Sequence, residues 1–327
     1  MLLRDMREGL SRYKIMGINA RNRDFIAPNN RRRNYPLVDD KLLTKKLALD
    51  AGIQVPELYG VIEFINQAGQ VAEIAAPHKN FVVKPCRGSG GEGIMVIQNV
   101  IGTSFQKANG ELVSAGDMQY HMTNVLGGMY SMSGRADRAI IEYAVQFDPV
   151  FNEITYQGVP DIRIIVYKGV PIMAMLRLPT RRSDGKANLH KGGIGVGVRM
   201  QDGVTMYGVQ GSSFVNEHPE TLKPLAGRTI PQWPFLLEMA SKFYDITKLG
   251  YVGVDIVLDK HKGPMVLEAN ARPGIAIQIA NRRGLLSRTE KVDAKGDISS
   301  WTMADRLDFA MSAYRDEPGA DLFAAKV

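Results

Sequence analysis

Short β-rich runs, interrupted by a few stretches with helical spacing, divide the chain into two blocks. In the first, a helix is predicted from about Asp39–Asp40 through KLLTKKLALDAG, stopping at Gly52 before Val55-Pro56. Strands follow at about 57–64, 70–75, Phe81–Pro85 and Ile94–Asn99, with Asn109-Gly110 marking a hairpin turn. Residues 116–131 have a helical pattern, and the apolar run Ala139–Val145 ends the block as a strand. The second block begins at Asp161 with two consecutive strands, DIRIIVYKG and VPIMAMLRL. The polar loop RRSDGKANLHKGG comes next, then strands near 194–199 and 203–208 and a helix over 232–248. A β-hairpin spans 251–274. After Gly284 the composition turns polar, which predicts a mobile linker leading to an amphipathic helix near 301–315.

The hairpin carries the most specific chemistry. Val252–Leu258 and Pro264–Asn270 are separated by the polar turn Asp259–Gly263. Centred between His261 and Lys262, the hairpin pairs Leu258 with Met265 and Asp255 with Glu268. Asn270 then points the same way, because strand side chains alternate. Two carboxylates directly opposite each other destabilise a sheet by about 0.2–1 kcal/mol. A hard cation such as Mg²⁺, which takes oxygen ligands, would remove that repulsion. A surface hairpin with scattered acids is the alternative that this segment, by itself, leaves open.

Composition narrows the setting. With 45% hydrophobic and 23% charged residues the chain is ordinary for a globular protein, and it holds no apolar run long enough for a bilayer. The opening MLLRDMREGLSRYK is charged throughout, and the single cysteine, Cys86, has no partner for an internal disulfide. Both features point to the cytoplasm. A formal net charge of +7, with Arg21, Arg23, Arg31, Arg32 and Arg33 in a basic N-terminal arm over residues 1–37, suggests an anionic ligand. Nucleotide phosphates, an acidic peptide and a nucleic acid all meet that description.

FVVKPCRGSGGEGIMVI contains a G-x-G-x-x-G at Gly88, Gly90 and Gly93, but a strand follows it where a dinucleotide fingerprint requires a helix. A strand–glycine-loop–strand hairpin instead makes a flap whose backbone N–H groups can close over phosphates. Lys84 agrees with this, since an ammonium in an apolar strand is expensive to bury unless an anion meets it, with an ordinary edge-strand lysine as the alternative. Glu142 is the one polar residue of IIEYAV, which reads either as a linker along a purine edge or as a plain buried strand. Arg163 and Arg177 lie on the two strands after Asp161 and need carboxylate or phosphate partners, with structural ion pairs as the alternative. Asn188, in NLHKGG, stands in a loop dense in donors that by itself could be any turn.

In order along the chain, these segments resemble the ATP-grasp superfamily and, within it, RimK-type α-L-glutamate ligases and the sugar-transfer-associated ATP-grasp proteins. The resemblance runs from Val38-Asp39-Asp40-Lys41 to about Gly284 and includes GIQVP, FVVKP with the flap, IIEYAV, DIR, NLHKGG, GVDIVL and LEANARPG. It implies an α+β fold in which two α+β subdomains grip ATP. The nucleotide-flap subdomain would cover about 70–142 and the metal-site subdomain about 143–285, within an ATP-grasp domain over 38–285, with 286–327 as linker and last helix. By the same resemblance Lys41 and Lys84 would hold the α- and β-phosphates, and Gly88, Ser89, Gly90, Gly91 and Gly93 would cover them. Glu142, with the backbone of Tyr143 to Val145, would bind adenine and ribose. Asp255, Glu268 and Asn270 would bind one or two Mg²⁺, with Mn²⁺ as an alternative occupant. Arg163 and Arg177 would stabilise the transferring phosphoryl group or the substrate carboxylate, and Asn188 would contact phosphate or substrate. RimK-type enzymes carry a full domain before the first lysine, whereas forty residues precede Lys41. A second copy or a partner protein is therefore expected to complete the substrate pocket. Arg272 stands where RimK usually has a small residue, and it would hold an acidic substrate or the acyl-phosphate, with a structural ion pair as the alternative.

The expected activity is that of an ATP-dependent carboxylate–amine ligase working through an acyl-phosphate on an acidic amino acid or peptide. Such chemistry needs positioning and electrostatic stabilisation rather than a protein nucleophile. A phosphotransferase with a different acceptor, or a regulatory ATP-binding protein of the same fold, uses the same nucleotide site. A nucleic-acid-binding protein fits least, because the basic arm has few aromatics to stack bases and no recognised motif.

Overall fold

The computed structural model describes residues 13–88, 90–131 and 134–315. Helix α1 (Lys41–Asp50) starts where the Asp40 carboxylate accepts hydrogen bonds from the N–H groups of Leu42 and Leu43. Its buried face is unusual in carrying Lys41 and Lys45 alongside Thr44 and Ala48.

The first sheet comprises β1 (Leu58–Ile62), β2 (Phe81–Pro85), β3 (Met95–Ile101), β4 (Ser104–Lys107), β5 (Leu112–Val113) and β6 (Ala139–Glu142), in the order β1-β6-β2-β3-β4-β5. All its neighbours are antiparallel. It reaches back to residue 58, before the flap boundary expected near 70. Helix α2 (Ala115–Leu126) covers the sheet, and Met118, Met122 and Val125 pack with Phe81, Val83 and Ile141. The strand expected at 70–75 is instead a short helix, Val71–Ala75, following a 3-10 stretch, Ile65–Gln70. Val71 and Ala75, four residues apart, are both buried in this core, so helical spacing decides the conformation.

The second sheet holds β7 (Asp161–Tyr167), β8 (Val170–Leu178), β9 (Ile194–Val198), β10 (Thr205–Gln210), β11 (Ser213–Val215), β12 (Tyr251–Asp259) and β13 (Gly263–Asn270). Its order is β11-β10-β9-β8-β7-β12-β13, again antiparallel, and helix α3 (Trp233–Thr247) packs against β7, β8 and β12. The polar stretch after Gly284 is not a linker. It forms helix α4 (Leu285–Asp293), whose Leu285, Arg288, Thr289 and Val292 are buried at helical spacing. Helix α5 (Met303–Ser312) follows and packs on β8 and α3. No helix of the described residues is long and apolar enough to cross a membrane.

Two features position the site. The basic arm is built into the large core: Phe25 and Ile26 are buried, and the Phe25 ring meets Tyr167 edge-on at 5.7 Å. Asn30 then ties the arm to both strands of the hairpin, its side-chain amide donating to the carbonyls of Tyr251 and Ala271. The second feature is the register of that hairpin. Three residues, 260–262, form its turn, and the Asp259 carboxylate accepts from the N–H groups of His261 and Lys262. Leu258 therefore pairs with Pro264, and Met265 pairs with Val257 rather than with Leu258 as expected. A bulge at Leu267 then shifts the ladder by one, and Asp255 meets Glu268 after all. In a regular ladder of the same residues, with no bulge, Leu267 would stand opposite Asp255 and Glu268 would turn to the other face.

Candidate functional site

A buried cationic cluster joins α1 to the first sheet. Lys84 on β2 and Glu142 on β6 come together because Val83 pairs with Ile141, and Lys84 Nζ lies 2.5 Å from Glu142 Oε1. Lys45, one turn after Lys41, places its Nζ 2.8 Å from Glu142 Oε2 and donates to the Pro56 carbonyl at 2.5 Å. Burial pushes the Lys45 ammonium down to about 8, helped by Lys84 and opposed by Glu142. Burial would also raise Glu142, but the two lysines outweigh it and hold the carboxyl below its usual range. Lys41 Nζ donates to the Gly88 carbonyl at 2.6 Å, at the root of the flap. Two ammonium groups thus share one carboxylate, with a third on a backbone carbonyl beside them, an excess of positive charge suited to phosphates. Lys45 is a member that sequence reasoning missed; its i,i+4 spacing from Lys41 was the available signal.

Glu142, expected at the adenine, turns both oxygens to these lysines. Just beyond it, the Tyr143 N–H donates to the Glu57 carbonyl at 2.9 Å. Among the described residues no hydrogen bond engages the backbone of Ala144 or Val145, and Ala144 is buried. Unpaired backbone groups at such depth suit the edge of a purine. The Tyr143 phenol is raised by burial and by Asp259, and Lys262 Nζ sits 4.3 Å above its ring. Tyr143, Val257 and Met265 form a small core of their own, with Val145 and Leu267 against it, linking β6 to the hairpin.

The flap runs between β2 and β3, with Gly90, Gly91 and Gly93 all at positive φ. A side chain at Gly93 would meet the Tyr130 ring at 2.5 Å, and the Gly93 carbonyl contacts His121 Nε2 at 3.0 Å. The flap also reaches the second lobe. Asn188 Nδ2 donates to the Gly90 carbonyl at 3.1 Å, and Lys191 ion-pairs with Glu92. Gly88 bridges to Ser131, while Ser89 lies outside the described residues.

On the second sheet an acid–arginine ladder crosses four strands. Pairing places Arg177 opposite Asp161, Arg163 opposite Asp255 and Asp255 opposite Glu268, all on one face. Arg163 donates to both Asp255 oxygens at 2.6 and 2.5 Å, and Arg177 bridges Asp255 at 2.6 Å and Asp161 at 2.5 Å. Burial would raise Asp255, but these guanidinium groups hold it down to about 2. Asp161 goes the other way: burial lifts it to about 7, against Arg177 and with Asp255 adding to the rise. The two arginines therefore relieve the carboxylate repulsion anticipated for the hairpin. Glu268 is part-exposed, 4.0 Å from Arg163, and accepts from Asn270 Nδ2 at 3.2 Å.

These residues fit a hard cation. Three of the roughly four lone-pair sites on Asp255 are taken by arginine, leaving one on Oδ1 beside the Glu268 carboxylate and the Asn270 amide oxygen. Among the described residues no group of three or more His, Cys, Asp or Glu side chains offers a further metal site. Arg272 follows two residues after Asn270, exposed, with its guanidinium 4.9 Å from the Tyr35 ring centre. Asp39, raised by burial, lies in the fields of both Arg272 and Lys41 and so connects the end of the hairpin to the start of α1.

Residues 20–294 match a family described as sugar-transfer associated ATP-grasp. No curated protein matches the chain. Similar solved structures include the ATP-grasp ligase PsnB complexed with a minimal precursor, at 13% identity and TM-score 0.46, covering 82% of this chain. This chain spans only 63% of the length of that PsnB chain. D-cycloserine synthetase DcsG is also similar, at 13% identity and TM-score 0.44, over 79% of this chain and 70% of that one. A RimK-domain ATP-grasp protein from Sphaerobacter thermophilus shares 14% identity at TM-score 0.42, over 86% of this chain and 70% of its own.

Proposed function

Because the chain belongs to the sugar-transfer associated ATP-grasp family, we propose that it is an ATP-dependent carboxylate–amine ligase. ATP would phosphorylate an acid to an acyl-phosphate, and an amine would displace the phosphate to give an amide. The observation that carries this reading is the buried Lys45–Glu142–Lys84 cluster beneath a glycine flap that contacts both lobes. Lys41 and Lys84 bind phosphate oxygens. The flap excludes water from the transferring group, and the free backbone of Ala144 and Val145 orients the base. Arg163 and Arg177, already fixed by carboxylates, present rigid positive charge to the phosphoryl group as it moves, and Asn188 holds the flap closed. Asp255, Glu268 and Asn270 would hold Mg²⁺, which when bound neutralises charge on the β- and γ-phosphates.

The positive balance and the resemblance to glutamate ligases favour an acidic amino acid or peptide as the acid. Glu268→Ala is expected to abolish ATP-dependent amide formation while circular dichroism and melting remain native-like. Full activity in that variant would refute the metal assignment. Hydroxylamine in place of the amine should yield a hydroxamate, because an acyl-phosphate traps that way. ADP release without hydroxamate would assign transfer to a non-carboxylate acceptor instead.

A further inference from the structure

Most arginines of the site are paired with acids, and two are not. Arg272 stacks on Tyr35, and among the described residues none of its five N–H groups meets a protein acceptor. Arg21, in the helical segment Arg21–Ile26 of the basic arm, donates through Nη1 to the Pro273 carbonyl at 2.8 Å. Its Nε and Nη2 are held by the side-chain oxygen of Asn22 at 3.1 and 2.9 Å, which leaves two N–H groups free. Both guanidinium groups are thus oriented by an aromatic ring, a backbone carbonyl and an amide. No carboxylate lies within ion-pair distance of either among the described residues. Each lies in the other's field: burial lowers the proton affinity of Arg21, Tyr251 opposes this and Arg272 adds a smaller push in the same direction as burial. Asp39, which lies in the field of Arg272, is shared with Lys41 and is itself raised by burial.

We infer that Arg21 and Arg272 form a second anion subsite, which takes a carboxylate of the substrate other than the one that reacts. The inference rests on the ligase reading above. Arg272 is two residues from Asn270, so their α-carbons are at most about 7 Å apart. That spacing puts a short dicarboxylic acid in reach of both places, with one carboxylate at the Glu268–Asn270 end for phosphorylation and the other on the arginine pair. Two forks held in fixed planes suit a planar carboxylate better than a lone ammonium does. The arm is therefore part of the substrate pocket.

The test uses the full chain, ¹⁵N-labelled at arginine and saturated with Mg²⁺ and AMP-PNP, titrated with glutarate as the dicarboxylate probe and butyrate as the monocarboxylate control. The Nε–Hε resonances of Arg21 and Arg272, assigned by their loss in Arg21→Lys and Arg272→Met, should shift together with one Kd. Butyrate should bind at least tenfold more weakly. Arg272→Met should weaken glutarate at least tenfold, and Arg21→Lys should weaken it less than Arg21→Met does, since the charge is kept. Glutarate shifts confined to other arginines, or glutarate affinity unchanged in Arg272→Met, would overturn the proposal while leaving the ligase reading standing. Failure of AMP-PNP to bind the wild-type chain would remove that reading and this one together.

Discussion

Glu142→Gln removes the single anion that two buried ammonium groups share. Lys84 and Lys45 approach it at 2.5 and 2.8 Å, and all three side chains are at most 8% exposed. At an effective dielectric constant of about 20, each contact is worth roughly 6 kcal/mol of Coulomb attraction. Desolvation offsets much of this. The net loss on breaking a buried pair by removing one partner is about 3–5 kcal/mol. The amide also leaves two like charges side by side, with no water to screen them. Thermal unfolding followed by circular dichroism should show Tm lowered by roughly 4–7 °C at pH 6. The deficit should shrink as pH rises towards 9, because Lys45 sheds its proton more readily still without Glu142. Adding Lys45→Met to Glu142→Gln should recover part of the loss, since one stranded charge is then gone. A loss under about 1 kcal/mol at pH 6, or no recovery in the double variant, would refute the argument that Glu142 neutralises this cluster.

Three further outcomes follow from the same geometry. Lys45 binds its proton less tightly when folded than when unfolded, so between pH 8 and the ordinary lysine range the unfolded chain holds more protons and stability rises with pH. Relative to Lys45→Met, the wild type should gain about 3 kcal/mol across that window, read by urea denaturation at each pH. Gly93→Ala, with its new Cβ 2.5 Å from the Tyr130 ring, should weaken AMP-PNP binding by displacing the flap. Gly90→Ala meets only Asn188 Nδ2 at 4.0 Å and should show little beyond the strain of about 1–2 kcal/mol for a left-handed alanine; calorimetric titration separates the two. Cys86 is buried, donates to Asp40 Oδ1 at 2.9 Å and has its thiol pushed up to about 11 by burial and by Asp40. It should react with a disulfide reagent at neutral pH only as fast as the chain opens, and rapid labelling of the native protein would contradict that placement.

Much of this arrangement can be read directly from residue pattern. Alternation along DIRIIVYKG, GVDIVL and LEAN puts Arg163, Asp255 and Glu268 on one face before any coordinate is known, and the polar residues in otherwise apolar strands, Lys84 and Glu142, mark the interior charges. What escapes is decided by partners distant in sequence. Lys45 looks like a solvated helix lysine until Glu142 and Pro56 close around it. Leu285–Asp293 is polar in composition, yet its buried set includes Arg288 and Thr289 at the inward spacing. The arm from Arg21 to Asn30 shows its basic residues, while Phe25, Ile26 and Asn30 do the anchoring. Hairpin pairing was predicted with the right carboxylates opposite each other, but the means differ, since a two-residue turn and a three-residue turn with a bulge reach the same register.

That coincidence has a consequence for how the hairpin can change in length. Between Asp255 and Glu268 lie the twelve residues 256–267, one more than a three-residue turn with equal arms would need. Losing Leu267 would leave a regular ladder with the same two carboxylates facing each other. Most single deletions in a strand invert every side chain beyond them, whereas here the surplus residue absorbs the change. The loop end of this hairpin is thus free to vary by one residue across descendants of the sequence, while the end that carries Asp255, Glu268 and Asn270 stays in frame.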